Sequence, residues 1–346
     1  MIHNRAFNCM AIQSSEIKPI DNAAGTKCLA MMPTFHGFGL AMCMHTMLYF
    51  GMQVFLVPKF DFKACTKLIF KNKINHVYAV PALFEALSRS EEIEKQDLSF
   101  LEMVAFSGDK MSEKLHNRMN KYLKNGGSSE QMTEAYGLTE CLSAACISPF
   151  FAHKQGSTGL PLPGNKIKIC KVGTHEEVPI GEDGEICITG PTLMKGYYQN
   201  EVETKIALQQ HDDGEVWLHT GDVGCMDEDG YLYYRLRHCK MIITSGYNIY
   251  PTQIEEVING VNGVAASCVI GIEDRSVGQR VVAVVQPANM NADLEPLRER
   301  ILDACKKNVA EFAMPREVIF KEELPRTRMG KIDFKNLTAD MNAKRG

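Results

Sequence analysis

Between residues 62 and 124, segments with helical spacing alternate with short β-rich runs, and only a few architectures accommodate that order. The segments are, in turn, residues 62–73, 76–80, 82–88, 103–106 and 113–124. Ser112 is placed to cap the last helix, and Gly126 and Gly127 end it. Strands that alternate with helices favour a mostly parallel sheet covered by helices. The first half of the chain is therefore predicted to be α/β.

The pattern changes in the middle of the chain. Between residues 156 and 234, turn-forming glycines recur at short intervals. The runs between them, such as residues 166–172 and 185–189, are short and β-rich. This spacing predicts antiparallel strands that form a small β-barrel portion.

The last hundred residues follow a third pattern. Helices are predicted at residues 251–259 and 294–309. Two apolar strands, residues 265–271 and 281–286, are predicted between them. Together these elements indicate a compact α+β module.

Composition excludes several classes of protein. Of the 346 residues, 45% are hydrophobic and 23% are charged, which are ordinary values for a globular protein with a sizeable core. The formal net charge of −4 gives no electrostatic reason to expect a nucleic-acid partner. The twelve cysteines include no CxxC pair. Neither a zinc framework nor a disulfide scaffold is therefore predicted, and a reducing cytoplasm is the expected location.

One segment approaches the length of a membrane span. Residues 37–58 contain no Asp, Glu, Lys or Arg, and about 20 such residues can cross a bilayer. Gly37, Gly51 and Gln53 interrupt the segment, however, and its second part has the pattern of a strand after a short helix. We therefore predict no integral membrane span.

Six short motifs follow one another along the chain. They are residues 32–36 (Met-Pro-Thr-Phe-His), 136–140 (Tyr-Gly-Leu-Thr-Glu), 184–198 (Gly-Glu-Ile through Gly-Tyr-Tyr), 219–222 (His-Thr-Gly-Asp), 237–251 (Arg through Asn-Ile-Tyr-Pro) and 325–331 (Pro-Arg-Thr-Arg-Met-Gly-Lys). Each motif alone is a weak signal. In this order and spacing, the six resemble the superfamily of acyl-CoA synthetases, firefly luciferase and peptide-synthetase adenylation domains. The resemblance covers essentially the whole chain.

This resemblance implies a two-step reaction and a two-domain fold. A carboxylate attacks the α-phosphate of ATP to give an acyl-adenylate and pyrophosphate, and the thiol of coenzyme A then displaces AMP. Such chemistry depends mostly on positioning and on neutralising charge. The implied large α/β domain is residues 1–236, of which residues 155–236 are the β-barrel portion. The implied small, mobile α+β lid domain is residues 237–346.

The motif at residues 136–140 is implied to hold the nucleotide. By resemblance, the ring of Tyr136 stacks on adenine, Thr139 touches the α-phosphate, and Glu140 helps to hold Mg²⁺. Gly137 belongs to the same nucleotide-binding motif. A hard cation requires oxygen ligands of this type. The alternative for Thr139 and Glu140 is an ordinary capped turn at a helix start.

Further residues are implied to line the ribose and adenine. By resemblance, Asp222 accepts hydrogen bonds from the ribose hydroxyls and Arg237 also reaches the ribose. An Asx-turn and a surface ion pair, respectively, are the alternatives for these two residues. Ser107 and Gly108 match a turn that lies along adenine and the acyl pocket. Asp109 departs from the small residues that the family commonly has there, so it receives no role.

Four more positions concern the acyl group, coenzyme A and the lid. By resemblance, His36 borders the carboxylate site and gates the acyl tunnel, Gly246 lines the pantetheine tunnel, and Lys331 contacts the carboxylate and the α-phosphate. A packed core histidine and a solvated lysine are the alternatives for His36 and Lys331. Cys239 stands where the family usually has Asp or Lys at the pivot of the lid.

The family also carries a Ser/Thr/Gly-rich loop, ending in Pro-Lys-Gly, around the β- and γ-phosphates. It should precede the position that matches His3 and Asn4, whereas this chain begins at Met1. No later segment replaces it, and no GxxxxGK[ST] sequence is present. We therefore expect the 346-residue chain alone to be inactive because it is truncated, whether it is a fragment, half of a split gene or a truncated gene model.

The sequence thus predicts ATP-dependent ligation of a small-molecule carboxylic acid to coenzyme A, with ATP, Mg²⁺ and coenzyme A as cofactors. The apolar, Met-rich residues 31–47 favour a fatty or aromatic acid. Two alternatives stay open. One is acyl transfer to the pantetheine of a carrier protein, and the other is a non-catalytic remnant that binds AMP or acyl groups.

Overall fold

The computed structural model describes two compact units, Met1–Tyr234 and Arg235–Gly346. The described residues are 1–17, 23–57, 61–89, 96–108, 111–149, 152–237, 240–245, 247–274, 276–327 and 332–343. The predictions made for Asp109, Cys239, Gly246 and Lys331 lie outside these ranges.

A seven-stranded sheet forms the centre of the first unit, in the order β2-β1-β3-β4-β5-β6-β7. The strands from β1 to β5 are parallel, and β6 and β7 are antiparallel. The bounds are β1 Lys27–Ala30, β2 Gln53–Leu56, β3 His76–Ala79, β4 Met103–Ser107, β5 Met132–Tyr136, β6 Cys146–Ile147 and β7 Leu160–Pro161. The predicted parallel α/β sheet is confirmed, and β2 lies at one edge of it.

Helices cover this sheet, and local side chains fix where several of them begin. Asp61 Oδ1 accepts a hydrogen bond from the Ala64 amide (2.7 Å), and Ser112, the predicted N-cap, accepts one from the Leu115 amide (3.3 Å). The bounds are α1 Asn4–Ile17, a π-helix Phe38–Thr46 that continues as α2 Met47–Tyr49, α3 Phe62–Asn72, α4 Pro81–Ser88 and α5 Glu113–Asn125.

The described part of the uncharged segment, residues 37–57, is a helix followed by β2, as its sequence predicted. The helix ends at Tyr49. Among the described residues, no helix has both the length and the apolar character that crossing a membrane requires.

A second, antiparallel sheet follows in the order β10-β11-β9-β8, with β12 paired to β11. The bounds are β8 Lys166–Cys170, β9 Gly184–Thr189, α6 Glu201–Ala207, β10 Leu208–Gln210, β11 Val216–Met226 and β12 Leu232–Arg237. Ile186, Ile188 and Leu218 point to one face, where they pack in a core that includes Tyr136. Within the described part of the chain, these pairings follow an open path and do not close into a ring.

The second unit is built on a five-stranded sheet in the order β14-β13-β16-β15, with β17 parallel to β16. The bounds are β13 Ile242–Thr244, β14 Tyr247–Ile249, α7 Pro251–Asn259, β15 Val264–Asp274, β16 Gly278–Pro287, α8 Glu295–Asn308, β17 Glu317–Phe320 and α9 Phe334–Ala343. Alternate residues of β16 serve opposite faces: Val281 and Val285 pack with residues of α7 and α8, and Val282 packs with residues of α9. The predicted α+β module is confirmed.

Candidate active site

Three motif segments lie at or just beyond the carboxyl ends of parallel strands in the first unit. The segment to His36 follows β1, Ser107 and Gly108 end β4 and begin its loop, and Tyr136 ends β5. Strands β4 and β5 are neighbours, with Ser107 paired to Ala135. Ligands of open α/β sheets bind outside the carboxyl ends of the strands. The sheet therefore brings these residues to the edge where a ligand is expected.

Close backbone packing joins the loop after β5 to the turn that carries His36. A Cβ placed on Gly137 would lie 1.7 Å from the carbonyl oxygen of Ser143, and one on Gly37 would lie 1.8 Å from that of Leu142. Neither position can hold any other residue without moving the backbone. Leu142 itself has φ = +70°, which is unusual for a bulky side chain and is found mostly where a structure over-determines the backbone. The glycines thus hold the Thr139–Cys141 turn beside His36.

A buried hydrogen bond links the two sheets of the first unit at Tyr136 and Asp222. The Tyr136 hydroxyl donates to Asp222 Oδ2 over 2.8 Å, and the two residues are only 7% and 2% exposed. Burial and the adjacent Asp222 charge raise the pKa of Tyr136 well above its usual value, so the phenol stays protonated and can donate. The Tyr136 ring also packs on Tyr234, with centroids 5.7 Å apart.

Glu140 is held by a residue to which the sequence assigned no role. The Tyr197 hydroxyl donates to Glu140 Oε1 over 2.7 Å, and the Met194 amide donates to the Glu140 carbonyl, also over 2.7 Å. Tyr197 is in turn fixed through its own amide, which donates to Thr204 Oγ1 at 2.9 Å. The Gly-Tyr-Tyr motif at residues 196–198 was the sequence feature that could have identified Tyr197 as a site residue.

The remaining predicted residues differ in their surroundings. Thr139 is exposed at the start of a short 3-10 turn, Thr139–Cys141. His36 is half-buried, and its Nδ1 accepts a hydrogen bond from the Phe38 amide at 3.2 Å. Arg237 is the exposed last residue of β12 and belongs to the second unit. Gly246 and Lys331 lie outside the described residues.

Comparison with known proteins decides the family. The family model described as "AMP-binding enzyme" matches residues 1–198, and the model of its C-terminal domain matches residues 253–331. The chain belongs to the AMP-binding enzyme family. The resemblance of the six motifs to adenylate-forming enzymes is thereby confirmed.

Several named relatives within the AMP-binding enzyme family are CoA ligases. The chain is 31% identical over 315 residues to a long-chain-fatty-acid–CoA ligase of Salmonella typhimurium, covering 90% of this chain and 54% of the relative. It is 33% identical over 306 residues to a 2-succinylbenzoate–CoA ligase of Bacillus cereus, covering 88% and 60%. The chain thus spans about half the length of the curated relatives it matches.

A solved structure of another AMP-binding enzyme has the same fold. It is o-succinylbenzoate CoA synthetase from Bacillus subtilis in complex with the acyl-adenylate intermediate. The TM-score is 0.84 at 26% identity, and the match covers 97% of this chain and 65% of that one. Its large domain and small C-terminal domain correspond to the fold class predicted from the sequence.

Proposed function

We propose that this chain is part of an AMP-forming acid–CoA ligase, which joins a fatty or aromatic carboxylic acid to coenzyme A through an acyl-adenylate. The observation that carries the proposal is the buried hydrogen bond from Tyr136 to Asp222. It places an aromatic ring and a carboxylate, from motifs 86 residues apart, beside the carboxyl ends of parallel strands. An aromatic ring can stack on a purine, and a carboxylate can accept hydrogen bonds from the hydroxyls of a ribose.

Asp222 is suited to the ribose. One of its oxygens is fixed by Tyr136, so the carboxylate plane is held in one orientation. An ionised carboxylate accepts several hydrogen bonds at once and can take both hydroxyls of a ribose. Because the group is buried, each such bond is stronger than it is in water.

Glu140 is suited to a magnesium ion. Mg²⁺ usually keeps several waters and binds one or two carboxylates together with substrate phosphates, so a single protein carboxylate is sufficient. Tyr197 holds one oxygen of Glu140, and the carboxylate is only partly buried. Bound there, Mg²⁺ would neutralise phosphate charge. Thr139, one residue away and exposed, can donate its hydroxyl to an α-phosphate oxygen.

The proposed reaction consists of two successive substitutions. A carboxylate oxygen of the acid forms a bond to the α-phosphorus, and the bond from that phosphorus to pyrophosphate breaks. The sulfur of coenzyme A then bonds to the acyl carbon, the bond to AMP breaks, and the thiol proton is released. Lys331 is the proposed cation for the first step, and Gly246 lines the proposed path of pantetheine in the second.

The residues described above belong to nucleotide binding, so AMP binding is the direct test on the 346-residue chain. We expect AMP to bind, and Asp222→Asn to weaken its affinity about 10- to 100-fold, since hydrogen bonds to charged groups contribute about 1.5–3 kcal/mol. Isothermal titration calorimetry measures both affinities. Asn retains an acceptor for Tyr136, so the fold should survive.

Asp227→Asn is the matched control, because Asp227 also accepts a hydrogen bond from a tyrosine hydroxyl, that of Tyr233, at 3.1 Å. It should leave AMP affinity unchanged. Equal affinities of the wild type and Asp222→Asn for AMP would remove Asp222 from the ribose site.

Activity is to be measured in the longest product that the gene encodes. There, acid-dependent ATP–pyrophosphate exchange and thioester formation with coenzyme A are expected. The 346-residue chain alone should show no exchange, because its sequence contains no Ser/Thr/Gly-rich run ending in Pro-Lys-Gly. Thioester formation only with a carrier protein would favour an enzyme that transfers the acyl group to carrier-protein pantetheine. AMP binding without pyrophosphate exchange in the longest gene product would favour a non-catalytic remnant.

A further inference from the structure

Three histidines converge on the second sheet of the first unit, on the face opposite its apolar core. His175 lies in the loop between β8 and β9, His211 directly follows β10, and His219 is in β11. Side chains alternate along a strand, so His219 points away from its neighbour Leu218, which packs in the core. One ring nitrogen from each histidine lies within 4.8 Å of the other two.

His211 and His219 are already close to the separation that a shared metal ion requires. Their Nε2 atoms are 2.9 Å apart. A tetrahedral ion that binds two nitrogens at about 2.0–2.1 Å holds them roughly 3.3 Å apart. Both rings are enclosed: His211 is 4% exposed and the His219 side chain 6%. Little movement would therefore convert this hydrogen-bonded pair into a pair of ligands.

A carboxylate orients His219 for coordination through Nε2. Glu185 Oε2 lies 2.9 Å from His219 Nδ1, and Glu185 Oε1 accepts a hydrogen bond from the Gly221 amide at 3.0 Å. The proton of His219 therefore lies on Nδ1, and Nε2 presents its lone pair. A carboxylate behind a histidine is the usual support of a metal-binding imidazole.

His211 can take the tautomer that coordination requires. Its Nδ1 is fully buried and has no hydrogen-bond partner among the described residues. The proton of His211 therefore lies on Nε2 and is donated to the lone pair of His219 Nε2 across the 2.9 Å contact, and no described group donates to His211 Nδ1. Moving that proton to Nδ1 frees Nε2 as a second ligand.

His175 completes the set by rotating. Its ring stacks on His211, with centroids 3.9 Å apart and planes at 13°, and its Nε2 meets Gln209 Oε1 at 2.9 Å. Two stacked rings cannot both aim their in-plane lone pairs at one ion. His175 is exposed on a loop, so its rotation gives up this stacking, a tilted ring contact with His219 at 5.7 Å and one surface hydrogen bond.

The surrounding charges are of both signs. Glu185 contributes one negative charge beside His219, and Lys168, which is paired with Asp213 at 3.2 Å, contributes one positive charge. A second set of groups, Glu185, Cys187 and His219, shares His219 with the first. Cys187 Sγ lies 3.8 Å from His219 Nδ1, on the side of the ring that faces Glu185 and not on the Nε2 side that faces His211.

We propose that His175, His211 and His219 form a binding site for a divalent transition-metal ion of the zinc class, with a fourth position open to water. Imidazole nitrogens are good ligands for ions of this class, whereas Mg²⁺ and Ca²⁺ prefer oxygen ligands. The ion clamps the β8–β9 loop and the β10–β11 turn to strand β11, three residues from Asp222. This site is independent of the proposed ligase function.

The test titrates the 346-residue chain with Co²⁺ and Zn²⁺, followed by absorption and calorimetry. One ion per chain is expected, with a visible Co²⁺ spectrum of nitrogen and oxygen ligands. His175→Ala, whose side chain is exposed, should keep the fold and weaken binding at least about tenfold, and Glu185→Gln should weaken it about 10- to 100-fold. Thermal unfolding verifies that each variant is folded.

His153→Ala is the matched control, because His153 also stacks on a second histidine, His116, with centroids 5.4 Å apart. It should bind the ion as the wild type does. Undiminished binding by folded His175→Ala would overturn the three-histidine site. An intense thiolate-to-cobalt band in the near ultraviolet would also overturn it and assign the ion to Cys187, and absence of stoichiometric binding would reject the site altogether.

Discussion

The two units differ in how their motif residues are held. In the first, Tyr136 ends β5, Glu140 lies in the turn after it and Asp222 lies within β11, and hydrogen bonds from two tyrosine hydroxyls fix both carboxylates. In the second, the described motif residue Arg237 is the exposed last residue of β12, and Gly246 and Lys331 lie outside the described residues. The proposed nucleotide site of the first unit can therefore be tested by binding alone, whereas the proposed roles of Gly246 and Lys331 are tested by measuring the two half-reactions separately.

The largest expected effect tests the second unit. In the longest gene product, Lys331→Ala should slow acid-dependent pyrophosphate exchange about two to three orders of magnitude, the usual loss for one charge at the transition state. Reaction of supplied acyl-adenylate with coenzyme A should continue. Lys335→Ala, an exposed lysine of α9, is the control. An equal loss in both half-reactions would show that Lys331 does not act in adenylation alone.

An intermediate effect is expected at Cys239, which by its spacing from Arg237 matches the pivot of the family's lid. Proline fixes φ near −65° and removes the amide hydrogen. A few junction torsions absorb most domain rotations. Cys239→Pro should therefore leave adenylate formation nearly intact and slow thioester formation about tenfold or more. Cys239→Ala is the control, and similar thioester rates for the two variants would place the pivot elsewhere.

The smallest effect concerns the first unit, where Tyr197 positions Glu140. Tyr197→Phe removes one hydrogen bond, and a net loss of about 0.5–1.5 kcal/mol corresponds to a roughly two- to tenfold change. We expect the Mg²⁺ concentration that gives half-maximal pyrophosphate exchange to rise, and the exchange rate at saturating Mg²⁺ to change little. Tyr198→Phe, which alters the exposed neighbouring ring, should have no effect. A lowered rate that extra Mg²⁺ does not restore would point to a purely structural role.

Local patterns in the sequence predicted most of the elements. The helix Pro251–Asn259 has both of its predicted ends, and Ser112 caps α5 as expected. The helix Asn4–Ile17 was missed. Its buried face includes small residues such as Ala6 and Ala11, and its first turn has no acidic residue, so both the apolar and the capping signals were weak.

Contacts between distant residues were beyond the sequence. The motifs identified Tyr136, Asp222 and Glu140 as residues of interest, but their partners depend on strand order. Strand β1, for example, lies between β2 and β3, and the Tyr136–Asp222 bond depends on how two sheets meet. Tyr197 lay within a recognised motif, yet only the fold shows that its hydroxyl reaches Glu140. Periodicity reports which face a side chain occupies, not which distant residue it meets.

The position of β2 has a practical consequence for handling the protein. This strand ends the seven-stranded sheet, and among the described residues only β1 pairs with it. An edge strand presents unpaired amide and carbonyl groups that can template association with another chain. No charged side chain lies in Gln53–Leu56, and Leu56 is 58% exposed. The 346-residue chain is therefore expected to aggregate at high concentration, and the substitution Leu56→Lys is the simplest way to keep it in solution.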